Sequence, residues 1–179
     1  MEPSPAVAQL SQSIRDVPDF PKPGIVFKDI TTLLRDPRLL HLALDEMAGL
    51  VQSAALHVDR VVAIESRGFI LGAALADRLG AGFVPIRKPG KLPWRTVAAS
   101  YTLEYGTDSI EMHADGLDAT DEVLIVDDLI ATGGTAAAAG ELVARLGARV
   151  AAYLFLIELT FLSGRDKLAE SPVLSLIRF

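Results

Sequence analysis

The chain contains no cysteine, a single tryptophan, only 6% aromatic residues and just three histidines. Without cysteine there is no disulfide framework, no thiolate nucleophile and no cysteine-based zinc site. His41, His57 and His113 are scattered, with no spacing that suits a metal. No apolar run reaches the roughly 18 residues that a membrane helix needs, so no helical span is expected. The opening residues MEPSPAVAQLSQSIRD lack a basic segment followed by a long apolar one, which argues against a secretory leader and for a cytoplasmic protein. Positive charge is also scarce: 17 Lys and Arg face 23 Asp and Glu, for a net charge of -6. A surface that coats nucleic acid needs the opposite excess. Any polyanionic ligand must therefore be met by a local cluster of cations.

At 179 residues the chain fits one domain, residues 1–179. A domain of that size buries roughly 70% of its unfolded surface and needs no covalent staple. Half of the residues, 50%, are hydrophobic, more than a small monomer requires, which points to a buried subunit interface.

Strand and helix patterns alternate along the chain. Ala6–Asp16 suits a short helix, after which Pro18, Pro21, Pro23 and Gly24 force an irregular arm that delivers Ile25 to Lys28. Asp36-Pro37 supplies a helix start, and apolar residues then recur at helical spacing to about Gln52. Strands are predicted near Arg60–Ile64, Gly82–Ile86, Glu122–Val126 and Val150–Leu156, with helices near Phe69–Leu79 and Thr135–Leu146. Gly80 and Gly147 are natural helix stops. Such alternation with apolar strands implies an α/β fold, a mostly parallel twisted sheet flanked by helices. Lys88 to Ile110 breaks the pattern and reads as a long loop and ribbon, of the kind used as a lid or binding loop.

The densest chemistry lies in Val123 to Thr135, VLIVDDLIATGGT. Val123 to Val126 form a continuous apolar run, as expected for a parallel strand covered on both faces. Asp127 and Asp128 follow at its carboxyl end, the edge where ligands sit in open α/β sheets. Two adjacent carboxylates there can accept hydrogen bonds from the vicinal hydroxyls of a ribose. Next, Ala131, Thr132, Gly133, Gly134 and Thr135 let the backbone wrap an anion, with successive amides and a helix start converging on one phosphate. No lysine follows Gly134, so this is not a Walker loop, and the glycine spacing of the dinucleotide fingerprint is absent. A phosphate monoester of a sugar is the ligand that fits.

This stretch resembles the phosphoribosyl pyrophosphate signature of the type I phosphoribosyltransferase family. Val17–Asp29 (VPDFPKPGIVFKD), Glu65–Phe69 (ESRGF), Ile86–Pro93 (IRKPGKLP) and Ser100–Gly106 (SYTLEYG) are similar, in the same order, to motifs of its adenine-specific members. The resemblance covers nearly the whole chain.

It implies the type I fold with an N-terminal arm, residues 1–34, forming a hood over the base, and a flexible catalytic loop. It implies transfer of the phosphoribosyl group from phosphoribosyl pyrophosphate to adenine in purine salvage, with Mg2+ as cofactor and a homodimer as the assembly, Arg87 lying near the partner's site. Asp127 and Asp128 would hold the ribose, and the 131–135 turn the 5'-phosphate. Ser66, Arg67, Arg87, Lys88 and Lys91 would meet the pyrophosphate, and a cis peptide is implied between Glu65 and Ser66. Magnesium keeps most of its waters and takes oxygens from the substrate, so no protein metal ligand is named. Glu104 would be the general acid and base toward the purine. Phe27 would stack on adenine, the backbone of Val26 and Lys28 would read its edge, and Leu129 would cover the other face. Tyr101 and Tyr105 share one strand face, where packing and ligand support are both open.

Overall fold

The computed structural model describes residues 4–103, 106–168 and 170–179. Helix α1 (Pro5–Ser13) starts at Ser4, whose hydroxyl accepts from the Val7 amide, with Pro5 in the first turn. The arm that follows is not wholly irregular. Its two ends pair as an antiparallel hairpin of β1 (Arg15–Pro18) and β2 (Val26–Asp29), with Pro18 at a strand end opposite Val26. A proline is tolerated there because the hairpin is an isolated two-stranded sheet. The four-residue α2 (Thr31–Leu34) leads to α3 (Pro37–Ser53), where the Asp36 carboxylate accepts from the amides of Arg38 and Leu39.

From there the chain runs through β3 (Arg60–Ile64), α4 (Arg67–Leu79), β4 (Gly82–Ile86), β5 (Thr96–Leu103), β6 (Gly106–His113), β7 (Glu122–Ile130), α5 (Gly134–Arg145), β8 (Arg149–Glu158), two 3-10 turns and β9 (Val173–Arg178). Five strands form one parallel sheet in the order β4-β3-β7-β8-β9. Strand β9 has no counterpart in the sequence expectation. Six residues with a serine in their midst carry too weak a period to be told from a terminal coil until β8 is there to pair with.

Alternation along β7 shows why its apolar run is continuous. Leu124 and Val126 enter a core with α1, α3 and α4, whereas Val123 and Ile125 enter a second core with α5 and the β5–β6 ribbon. Both faces are thus covered, and neither can carry a charge cheaply. The ribbon is a separate antiparallel hairpin, joined to the sheet side by the Arg87–Glu111 backbone bridge. No helix among the described residues is long and apolar enough to cross a membrane.

The strand order places β3 and β7 side by side, yet the helices that follow them go to opposite faces, α4 to one core and α5 to the other. Their loops must separate, and a crevice opens at the carboxyl ends of the two strands.

Candidate active site

A cavity of ≈ 520 Å³ occupies that crevice, with Ile64, Glu65, Ser66 and Arg67 on the β3 side and Asp127, Asp128 and Leu129 on the β7 side. Lys88, Tyr101, Ile110 and Thr135 complete the wall. Strand β7 runs four residues beyond Val126, so the carboxylate pair lies inside the strand, not past its end. Asp128 is 5% exposed, and its Oδ2 has no hydrogen-bond partner, although Arg67 Nε lies 2.8 Å away as an ion-pair neighbour. Asp127 accepts at 2.9 Å from the Asp128 amide and is packed against Gly68, where a Cβ would come within 2.8 Å of its Oδ1. Burial, and then the adjacent Asp128 charge, push the Asp127 carboxyl well above its ordinary range. Burial also raises Asp128, with Arg67 opposing the rise. With Arg67 as the cation beside Asp128 and one Asp128 oxygen left without a hydrogen bond, such a pair suits hydroxyl donors or a cation brought by a ligand.

The Glu65–Ser66 peptide is cis, as the resemblance implied. Glu65 gathers the cations of the next loop, accepting from Lys91 Nζ at 2.6 Å, Arg87 Nη2 at 3.2 Å and the Lys88 amide at 3.1 Å. The Lys91 bond is the largest reason that its carboxyl is lowered to about 2; burial works the other way. Lys88 extends instead to Asp108 and, at 3.1 Å, to the Tyr101 hydroxyl. Four cations predicted from sequence, Arg67, Arg87, Lys88 and Lys91, thus stand around one opening, three of them beside Glu65. Arg87 and Lys91 do not themselves line the cavity and join it through Glu65.

An adjoining pocket of ≈ 100 Å³ is formed by Ala131, Thr132, Gly133, Gly134 and Thr135, with Asp127, Leu129 and Thr135 shared between the two. Gly133 has φ 77°, and a Cβ there would run into the Gly164 carbonyl. That position therefore needs glycine on two counts. No side chain caps the start of α5, and its first residues, Gly134 and Thr135, line this pocket.

The arm contributes Phe27, whose ring centroid is 5.0 Å from the Arg67 guanidinium carbon and 5.2 Å from the ring of Phe20. Val26 is exposed, and the Lys28 ammonium turns elsewhere, to Asp16 at 2.7 Å and over the Phe179 ring. Neither Val26 nor Lys28 lines the cavity. Glu104 and Tyr105 lie outside the described residues. Trp94 is exposed. Sequence reasoning missed Asp108: its link to Lys88 depends on the ribbon register, which sets Tyr101 opposite Asp108. It also did not assign Glu65 the role of gathering the loop cations, because no local spacing joins residue 65 to residues 87–91.

A carboxylate pair between a cluster of cations and a small glycine-containing turn, at the switch point of a parallel sheet, has the chemistry to suit a sugar carrying phosphates at both ends. The phosphoribosyl transferase domain family matches this chain over residues 29–168, which defines its class. The adenine phosphoribosyltransferase of Sorangium cellulosum is 55% identical over 179 residues, covering 97% of this chain and 88% of that protein. The crystal structure of the adenine phosphoribosyltransferase from Thermoanaerobacter pseudethanolicus superposes with a TM-score of 0.94 at 49% identity, covering 97% of this chain and 99% of the other. The Saccharomyces cerevisiae enzyme, solved in complex with an imino-altritol bisphosphate and adenine, has a TM-score of 0.93 at 44% identity, with coverage of 96% and 98%. The chain belongs to the adenine phosphoribosyltransferase family.

Proposed function

We propose that the protein transfers the 5-phosphoribosyl group from phosphoribosyl pyrophosphate to adenine, giving AMP and pyrophosphate in purine salvage. The observation that carries this reading is the convergence on one crevice of the Asp127–Asp128 pair, the cations around Glu65 and the 131–135 turn. Adenine nitrogen attacks the anomeric carbon while the bond to pyrophosphate breaks, and the bond electrons leave with the pyrophosphate. The 131–135 amides and α5 would hold the 5'-phosphate, and Asp127 and Asp128 the ribose hydroxyls. Ser66, Arg67, Arg87, Lys88 and Lys91 would stabilise charge on the departing group.

Magnesium fits this donor set. Asp128 Oδ2 is a buried oxygen without a hydrogen-bond partner beside Asp127, and no group of three or more metal-ligating side chains occurs among the described residues. The ion would keep most of its waters, take oxygens from the phosphoribosyl donor and neutralise charge on the pyrophosphate. Glu104 would move the purine proton, Phe27 and Leu129 would sandwich the base, and the backbone of Val26 and Lys28 would select it.

The whole chain, 1–179, would act as one domain with residues 1–34 as the hood, since Leu10 of α1 is buried in the same core as α3 and β9. A cytoplasmic setting belongs to the same reading, supported by the cysteine-free composition. A homodimer completes it, supported by Ile70 on α4 and Phe83 on the edge strand β4, which are 47% and 38% exposed.

The test is release of pyrophosphate from phosphoribosyl pyrophosphate and magnesium with adenine, hypoxanthine, guanine, xanthine, uracil or no base. Adenine-dependent release with AMP formed is the expected outcome. Turnover with a different base would move specificity away from the Val26–Lys28 arm, and silence with all five would overturn the reading.

A further inference from the structure

Each cation assigned above to the pyrophosphate already faces a carboxylate of this chain. Arg67 faces Asp128, Arg87 and Lys91 share Glu65, and Lys88 is paired with Asp108. Glu65 and Asp128 belong to the crevice itself. Asp108 does not: it stands on β6 and reaches Lys88 across the ribbon, where the register puts it opposite Tyr101. Its Oδ2 accepts from Lys88 Nζ and, at 3.1 Å, from the Tyr101 hydroxyl. Lys88 and Tyr101 both line the cavity, so the ammonium lies at the wall that a diphosphate would meet with its charge already committed.

We propose that Asp108 is an internal competitor for Lys88, occupying its ammonium in the unliganded chain and giving it up to the pyrophosphate group of the donor. This rests on the function proposed above and adds to it a residue that limits how tightly pyrophosphate is held, and so eases its departure as product. The exchange is between like interactions. A charge-assisted bond to a carboxylate is broken and one to a phosphate oxygen is made, so Lys88 contributes only the difference to affinity. Burial alone would lower the Lys88 ammonium, yet its bonds to Asp108 and Tyr101 raise it above its usual range, and the bond from Lys88 outweighs burial to hold Asp108 low.

The loop backbone does not depend on Asp108. Arg87 and Glu111 exchange two backbone hydrogen bonds, of 2.9 and 2.8 Å, and the Lys88 amide donates to Glu65 at 3.1 Å. Asp108→Asn therefore removes the competing charge while the loop stays anchored.

The experiment is calorimetric titration of the full chain with magnesium pyrophosphate, for wild type, Asp108→Asn, Lys88→Gln and the double variant, with KM for phosphoribosyl pyrophosphate measured beside it. Asp108→Asn is expected to bind pyrophosphate about three- to tenfold more tightly, the scale of a half-exposed ion pair. The KM for the donor should fall in step. Lys88→Gln should weaken binding, and adding Asp108→Asn to it should change nothing further, because the effect runs through Lys88. Unchanged or weaker binding by Asp108→Asn, with wild type binding normally, overturns this inference and leaves the function standing. Wild type that binds no pyrophosphate overturns both. Should the asparagine variant misfold, as judged by its thermal transition, Asp108→Ser carries the same prediction.

Discussion

Asp127 and Asp128 place two carboxylates side by side where burial leaves neither well hydrated. Asp127 has its folded pKa raised above the ordinary value of 3.8, so the native state keeps its proton to higher pH than the unfolded chain does. Stability then falls as pH rises from near 3.8 through the raised value, and the cost persists above it. Asp127→Asn is expected to raise the melting temperature at neutral pH, by about 2–4 °C for each kcal/mol gained in a domain of this size, and to flatten that pH dependence. Differential scanning fluorimetry across pH measures both, and turnover should be lost in the same variant. An equal or lower melting temperature would show that the pair carries no such strain. Glu104 is tested by kinetics: Glu104→Leu should keep ligand affinity and lose about 10²- to 10⁴-fold in kcat, and unchanged kcat would remove it from the mechanism. At this scale the sequence was legible wherever chemistry is local. The DD pair and the ATGGT turn are contiguous, whereas Asp108 joins Lys88 only through a hairpin register.

Elements explain how contiguous motifs become a site. The turn before α5 works because Gly133 takes a left-handed conformation and lies against Gly164, at the start of a 3-10 turn from the other side of β8. Gly133→Ala adds a methyl into the Gly164 carbonyl and strains the backbone, a loss of about 1 kcal/mol or more. Steady-state kinetics should show KM for phosphoribosyl pyrophosphate raised at least about tenfold, with binding of adenine near wild type; a donor KM unmoved by the substitution would separate this turn from the phosphate. The sequence reading set the central elements well, because β3, β4, α3 and α4 have clear apolar patterns, with a distinct helix start at Asp36-Pro37 and a distinct stop at Gly80. It took the proline-rich arm as irregular, since pairing of Val26–Asp29 with Arg15–Pro18 is a long-range event that prolines obscure locally. Extension of β7 through the carboxylates was hidden for a related reason: parallel pairing with β8 continues to Ile130 whatever the side-chain polarity.

At the scale of the whole molecule, the homodimer proposed above would close on the edge of the sheet at β4. Phe83 packs edge-on against Phe69 at 6.0 Å while remaining partly exposed, and Ile70 lies exposed on the same helix as Phe69. An edge strand flanked by apolar side chains favours self-association over solvent. Sedimentation equilibrium at micromolar concentration should give a dimer, and Ile70→Lys combined with Phe83→Lys should give a folded monomer. A fully active wild-type monomer would overturn the assembly.

By itself the amino-acid order determined the class of sheet, the glycine-containing turn at 131–135 and the carboxylate pair, since each depends on residues within one turn or one strand of each other. Tertiary structure decided the rest. Crossing of α4 and α5 to opposite faces opens the crevice, the ribbon brings Asp108 and Tyr101 to Lys88, and Glu65 collects cations more than twenty residues away. Those contacts arise from strand order and register, which short-range propensity does not encode. They are set only when two apolar cores close on both faces of one sheet.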